Sequence, residues 1–130
     1  MRSYSLRSNN GWLSPPYRLD RSRREAVLKA VENRCNDRGW KLQAAHVRTN
    51  HVHLVVTAEA RPERIMNDLK SFASRHLNEL EVEPPLRKRW TRHGSTRWLW
   101  NRKEVAAAIE YLIGGQGTAM AVFIAPEPLD

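Results

Sequence analysis

Residues 50–57 read N-H-V-H-L-V-V-T, and few folds can use such a stretch. In an extended chain, alternation with period 2 puts His51, His53, Val55 and Thr57 on one face and Val52, Leu54 and Val56 on the other. One strand therefore offers two imidazoles side by side above an apolar underside. Neutral imidazole is the commonest protein metal ligand near neutral pH, and neighbours on one face of a strand can reach a single ion. The pair reads as two of the ligands of a metal site.

The flanking sequence supplies the rest of a sheet. Residues 40–47 form a strand candidate with Leu42 and Ala44 on one side. They lead through Arg48-Thr49-Asn50 into the histidine strand, a connection short enough to require an antiparallel hairpin. Residues 3–8 are a first strand, and 9–17 (N-N-G-W-L-S-P-P-Y) are loop because Gly11 and Pro15-Pro16 forbid regular structure. The helix that follows is capped by Asp20 or Ser22, carries Ala26, Val27, Ala30, Val31 and Cys35 as its stripe, and stops at Gly39.

Residues 61–80 give the strongest helical pattern. Pro62 suits the first turn, and Ile65, Met66, Leu69, Phe72, Ala73, Leu77 and Leu80 recur at spacings of three and four. Arg64, Lys70, Ser71 and Arg75 fall on its outer side. A second proline-broken loop covers 81–88, and 90–100 (W-T-R-H-G-S-T-R-W-L-W) resumes as a basic, aromatic extended segment. A last helix runs over 102–113 with Asn101 as its cap, and Gly114-Gly115 breaks it. Residues 118–124 close the sheet, and 125–130 form a fraying tail.

The order β-α-β-β-α-β-α-β predicts one α+β domain over residues 1–130, a ferredoxin-like or RRM-like antiparallel sheet with helices packed on one face. A chain of 130 residues buries roughly two-thirds of its unfolded surface, enough for a single core. Its formal charge of +8 favours a polyanionic partner, and its five tryptophans are potential stacking platforms for unpaired bases. A lone cysteine, Cys35, rules out an internal disulfide and suggests a reducing cytoplasmic setting. No run approaches the ~18 apolar residues of a membrane span, and the first residues lack a signal-peptide core.

Spacing separates the chemistries that place histidines on a strand. A histidine-triad hydrolase carries a third histidine two residues on, where this chain has Val55. A two-histidine phosphodiesterase needs two separate His-x-Thr or His-x-Ser repeats, which the chain lacks. The remaining arrangement is two histidines around one hydrophobic residue. Together with I-M-N-D-L-K-S-F-A-S-R, W-T-R-H-G-S-T-R-W-L-W and E-Y-L-I-G-G-Q-G, it resembles the single-tyrosine HUH transposases, which include small insertion-sequence transposases and REP-associated tyrosine transposases.

That resemblance implies a function and the residues that carry it. His51, His53 and Gln116 would hold a divalent metal, Mg²⁺ or Mn²⁺, and Tyr111 would be the nucleophile. Arg92, His93, Ser95 and Arg97, with Lys70 and Arg75, are the expected nucleic-acid contacts. The implied activity is that of a metal-dependent single-stranded DNA endonuclease and strand transferase, which forms a 5′-phosphotyrosine intermediate. Single-stranded or hairpin DNA would be the partner, a homodimer the working unit, and the bacterial nucleoid the location.

A phenol with pKa of about 10 is a poor nucleophile at neutral pH, which is why such chemistry calls for a cation at the phosphate. One feature departs from the family pattern. There tyrosine and polar ligand stand four apart on one helical face, whereas Tyr111 and Gln116 are five apart, ~140° out of line on an ideal helix. Gly114-Gly115 can supply the backbone angles that would realign them. The alternative is a domesticated module on the same fold that binds DNA or RNA without cutting it. A metal-dependent phosphodiesterase unrelated to transposition is a third reading.

Overall fold

A computed structural model describes residues 1–7, 18–80, 95–114 and 120–126. Its elements are β1 (Arg2–Arg7), α1 (Arg21–Arg38), β2 (Lys41–Val47), β3 (Val52–Ala58), α2 (Pro62–Leu80), β4 (Ser95–Leu99), α3 (Arg102–Gly114) and β5 (Ala121–Ile124). The strands form one antiparallel sheet in the order β4-β1-β3-β2-β5. The first four strands and two helices make the β-α-β-β-α-β pattern of ferredoxin-like folds, and β5 extends the sheet beyond β2.

Local chemistry sets the helix limits. Asp20 caps α1 by accepting the backbone N–H of Arg23 at 2.9 Å, and Gly39 ends it in the left-handed region at φ 73°. There a side chain would be strained. Pro62 opens α2 as expected. Asn101 accepts the Glu104 N–H at 2.9 Å while Glu104 accepts the Trp100 N–H at 2.8 Å, a reciprocal capping box at the start of α3.

The two faces of the sheet are covered differently. Val27, Ala30 and Val31 of α1 and Ile65, Leu69, Ala73 and Leu77 of α2 pack with Val52, Leu54 and Val56 of β3 in the larger core. Val105, Ala108, Ile109 and Leu112 of α3 pack with Ala44, Val55 and Leu99 in a smaller cluster on the opposite face. The α+β antiparallel sheet is as expected, but only two helices share a face. The third crosses to the other because β2 and β3 are central strands, buried almost without alternation and therefore apolar on both sides.

Two further details differ from expectation. Leu80 ends α2 half-exposed, outside the core. His51 precedes β3 rather than lying within it: the hairpin closes with the Arg48 N–H donating to the His51 carbonyl at 2.8 Å, leaving Thr49-Asn50 at the tip. Residues 81–94, with most of the expected loop and the first part of the basic aromatic segment, lie outside the described residues, as do Thr118, Ala119 and the tail beyond 126.

Candidate active site

β3 carries His53 into the face covered by α3, where its ring is 2% exposed. β1 runs antiparallel beside it and brings Ser5 up: the Ser5 hydroxyl and His53 Nε2 are hydrogen-bonded at 2.9 Å. At the hairpin mouth His51 stays half-exposed, and its Nδ1 is paired with the Asn50 side-chain oxygen at 2.7 Å. That bond orients the ring and leaves Nε2 as the nitrogen that could take a ligand, as carbonyl-type acceptors do behind metal-bound histidines.

α3 delivers the phenol. Tyr111, 44% exposed, stands with its ring centroid 6.2 Å from that of His53 and the planes inclined at 63°. Its neighbour Leu112 is completely buried against the sheet. With Leu112 as the inward anchor, a helical turn of 100° per residue sends Tyr111 to the side where His53 lies. The helix that was expected to carry the nucleophile thus puts it beside the histidine strand of the same chain.

His46 ties this arrangement together. It sits directly opposite His53 on β2 and is fully buried. Its Nε2 accepts the Met120 N–H at 3.0 Å, so the proton resides on Nδ1, which donates to the Leu112 carbonyl at 3.0 Å. One imidazole therefore clasps the last turn of α3 and the residue before β5, the two flanks of the segment that contains Gln116. Burial holds its pKa below the ordinary histidine value, against the raising effect of the Leu112 bond and assisted by the charge of Arg48. The ring is neutral, as both bonds require.

The other expected residues are dispersed. Arg97 is exposed on β4 opposite Ser5, close to the site. Ser95 begins the same strand, pairing with Arg7. Arg75 lies across the sheet, in a cleft of about 870 Å³ between α1 and α2 with Arg34, Arg38, Arg61 and Arg64. Lys70, expected on the outer side of α2, is instead 8% exposed, and desolvation lowers its pKa. Gln116, Arg92 and His93 lie outside the described residues.

One residue escaped the sequence reading, and another was seen without its partners. Ser5 could be found only by adding the period-2 pattern of Ser3 and Ser5 to the β1–β3 register. His46 was visible as a strand histidine, but its two bonds join parts of the chain 66 and 74 residues away.

The family model described as "Transposase IS200 like" matches residues 17–108. The chain belongs to that family. The matched residues of this IS200-like transposase include His51 and His53 and stop short of Tyr111. No curated protein matches the chain. Among solved structures, a REP-associated tyrosine transposase bound to a REP hairpin superposes with a TM-score of 0.61 at 13% identity. That match covers 85% of this chain and 62% of the other, so the chain spans less than two-thirds of that neighbour. A candidate transposase of Deinococcus radiodurans R1 superposes with a TM-score of 0.55 at 17% identity, covering 92% of this chain and 94% of the other. At these identities the likeness is one of fold.

The ligand chemistry suits a hard divalent cation only in part within the described residues. Among them no cluster of three or more His, Cys, Asp or Glu could hold a metal. Two imidazoles are on hand, one oriented by Asn50 and the other bonded to a hydroxyl that can turn away. An amide oxygen from Gln116 would complete a set that leaves positions for water and phosphate oxygens. No helix among the described residues is long and apolar enough to cross a membrane.

Proposed function

We propose that this IS200-like transposase is a metal-dependent endonuclease and strand transferase acting on single-stranded or hairpin DNA, with Tyr111 as its nucleophile. The observation that carries the reading is the half-exposed Tyr111 ring 6.2 Å from that of His53. In the reaction the Tyr111 oxygen attacks phosphorus and loses its proton. The bond from phosphorus to the 3′ oxygen breaks, and that oxygen leaves as a hydroxyl after taking up a proton. The 5′ end stays on the enzyme as a phosphotyrosine until a later hydroxyl reseals it.

Mg²⁺ or Mn²⁺ held by His51, His53 and Gln116 would supply charge neutralisation at the phosphate. The chain's own groups orient the reactants. Asn50 fixes the His51 imidazole, Leu112 anchors the helix that aims the phenol, and Arg97 offers a guanidinium beside Ser5 for a phosphate oxygen. Arginines of the α1–α2 cleft, Arg75 among them, provide a second cationic surface suited to the backbone of a hairpin. The solved neighbour bound to a REP hairpin makes hairpin DNA the natural first ligand to try.

The working unit is a homodimer, each chain of which brings its own Tyr111 to its own His53. The test is covalent capture. Incubation with hairpin-flanked single-stranded DNA and Mn²⁺ is expected to yield a denaturation-resistant adduct that disappears in Tyr111→Phe. A second reading, a DNA-binding module that no longer cuts, is favoured by the five-residue step to Gln116 and by the family match ending at residue 108. Binding without any adduct would establish it.

A further inference from the structure

At the other end of the sheet from His51 and His53, the chain builds a second feature that cleavage chemistry does not use. β1 begins there, β3 ends, and β4 passes into α3. A cleft of about 490 Å³ opens among Arg2, Lys41, Gln43, Trp98, Trp100 and Arg102. From His53 to Thr57, another of its lining residues, is four strand residues, roughly 13 Å.

Its aromatic wall is preassembled. Trp98 is held edge-on by Tyr4 at 5.2 Å and 82°, and the Arg2 guanidinium lies 4.9 Å from its ring. Trp100 stacks on Trp98 at 5.4 Å and 22° and still leaves 74% of its surface in water. The capping box fixes its backbone, because the Trp100 N–H is bound by Glu104. A large ring is thus presented to solvent, backed on one side by Trp98.

The surrounding charge selects the occupant. Three cations, Arg2, Lys41 and Arg102, line the cleft, and no carboxylate is among the described residues that line it. Gln43, 5% exposed, stands in the same wall. Its amide nitrogen donates to Thr57 at 3.2 Å, and its Oε1 is a buried acceptor without a partner among the described residues. A flat ring for stacking and cations for a phosphate are the elements of a nucleotide site.

We propose that this cleft binds an unpaired base of the single-stranded DNA flanking the cleavage position, stacked on Trp100, with its phosphate against Arg2, Lys41 and Arg102. The assignment rests on DNA being the ligand of this chain. It adds a subsite that holds the strand at a fixed distance from Tyr111 and so helps choose which phosphate reaches it.

The experiment uses the full chain in a Tyr111→Phe background with EDTA, so that cleavage plays no part. Affinity for a hairpin oligonucleotide with a single-stranded flank is read by fluorescence anisotropy. Trp100→Ala is expected to weaken binding roughly 5- to 100-fold with an unchanged melting temperature, and Trp100→Phe to retain most of the affinity. One abasic position in the flank should reproduce the loss and add little to it in Trp100→Ala.

Several results would overturn the assignment: an unchanged Kd for Trp100→Ala, abasic losses that add fully to it, or the same Trp100 dependence with a blunt hairpin lacking a flank. An RNA flank bound as tightly with the same dependence would overturn the commitment to DNA. If the unmutated-cleft protein bound no oligonucleotide at all, the functional reading would fall together with this subsite, whereas binding indifferent to Trp100 removes the subsite alone.

Discussion

The two faces of the sheet do different work, although the same two central strands supply both. On the α1/α2 face, β3 contributes Val52, Leu54 and Val56 to a broad apolar core. On the α3 face the alternate residues are His53, Val55 and Thr57, and around them stand Ser5, His46 and Gln43, all buried and polar. Buried polar groups cost stability unless bonded, and here the bonds are made to particular partners: Ser5 to His53, and His46 to Leu112 and Met120. One face supplies stability, and the other is left free to hold reactive groups in fixed positions.

Leu69 lies wholly buried in the larger core. Leu69→Ala should therefore cost about 2–5 kcal/mol in chemical denaturation, the largest stability loss of this series. Cleavage per folded molecule should be nearly unchanged. A comparable fall in both would show that the faces are not separable.

The opposite pattern is expected of His46→Phe. The ring becomes somewhat larger, and the Leu112 carbonyl and the Met120 N–H lose their partner, which costs about 1–3 kcal/mol. Adduct formation per folded molecule should drop more than stability does, because the helix end that carries Tyr111 and the flank of Gln116 are both released. His46→Asn, which can bond only one of the two, should fall between. Equal effects on folding and on cleavage would make His46 a core residue and nothing more.

The smallest effect belongs to the outer side of α1 and α2. Asp68 accepts from Arg34 at 2.6 Å and Arg38 at 2.9 Å. Burial alone would raise its pKa, but the Arg34 hydrogen bond and the charges of both arginines outweigh that and hold it below the ordinary carboxylate value. A depressed folded-state pKa means that the stabilisation is present above the unfolded value of about 4 and is lost as pH falls through the folded one. The denaturation midpoint of Asp68→Asn should be lower than that of the unsubstituted chain at pH 7, and the gap should narrow as the pH falls below about 4. A gap that persisted or widened there would show that the pair does not titrate as its geometry requires.

The face that stabilises the fold was the one legible in the sequence. The α2 stripe, Pro62, Gly39 and the Asn101 cap are local signals, and the structure places them as read apart from Leu80, which ends the stripe half-exposed. The alternation in 50–57 also separated the two faces of β3 correctly. What the pattern could not say is where α3 goes, since its apolar residues would fit either side of a sheet. That choice was made by β2 and β3 being buried on both faces. Ser5 and His46 depend on register between strands distant in sequence, which no window of residues contains. Within the candidate site, His51 and His53 were picked out by their spacing and Tyr111 through the family resemblance, and the structure brings His53 and Tyr111 together. Gln116, Arg92 and His93 stand outside the described residues, so the five-residue step from Tyr111 is unaltered as a question of chemistry.

The central claim is that a single chain supplies both halves of the site, Tyr111 beside its own histidine strand. Mixing Tyr111→Phe with His51→Ala, each inactive alone, tests it directly, with the unsubstituted protein as the positive control for adduct formation. His51 is half-exposed at the hairpin mouth, so its replacement should leave the fold intact. A site built within one chain predicts no phosphotyrosine adduct from the mixture at any ratio of the two proteins. Recovery of the adduct on mixing would contradict it and would place the tyrosine of one subunit against the histidines of another.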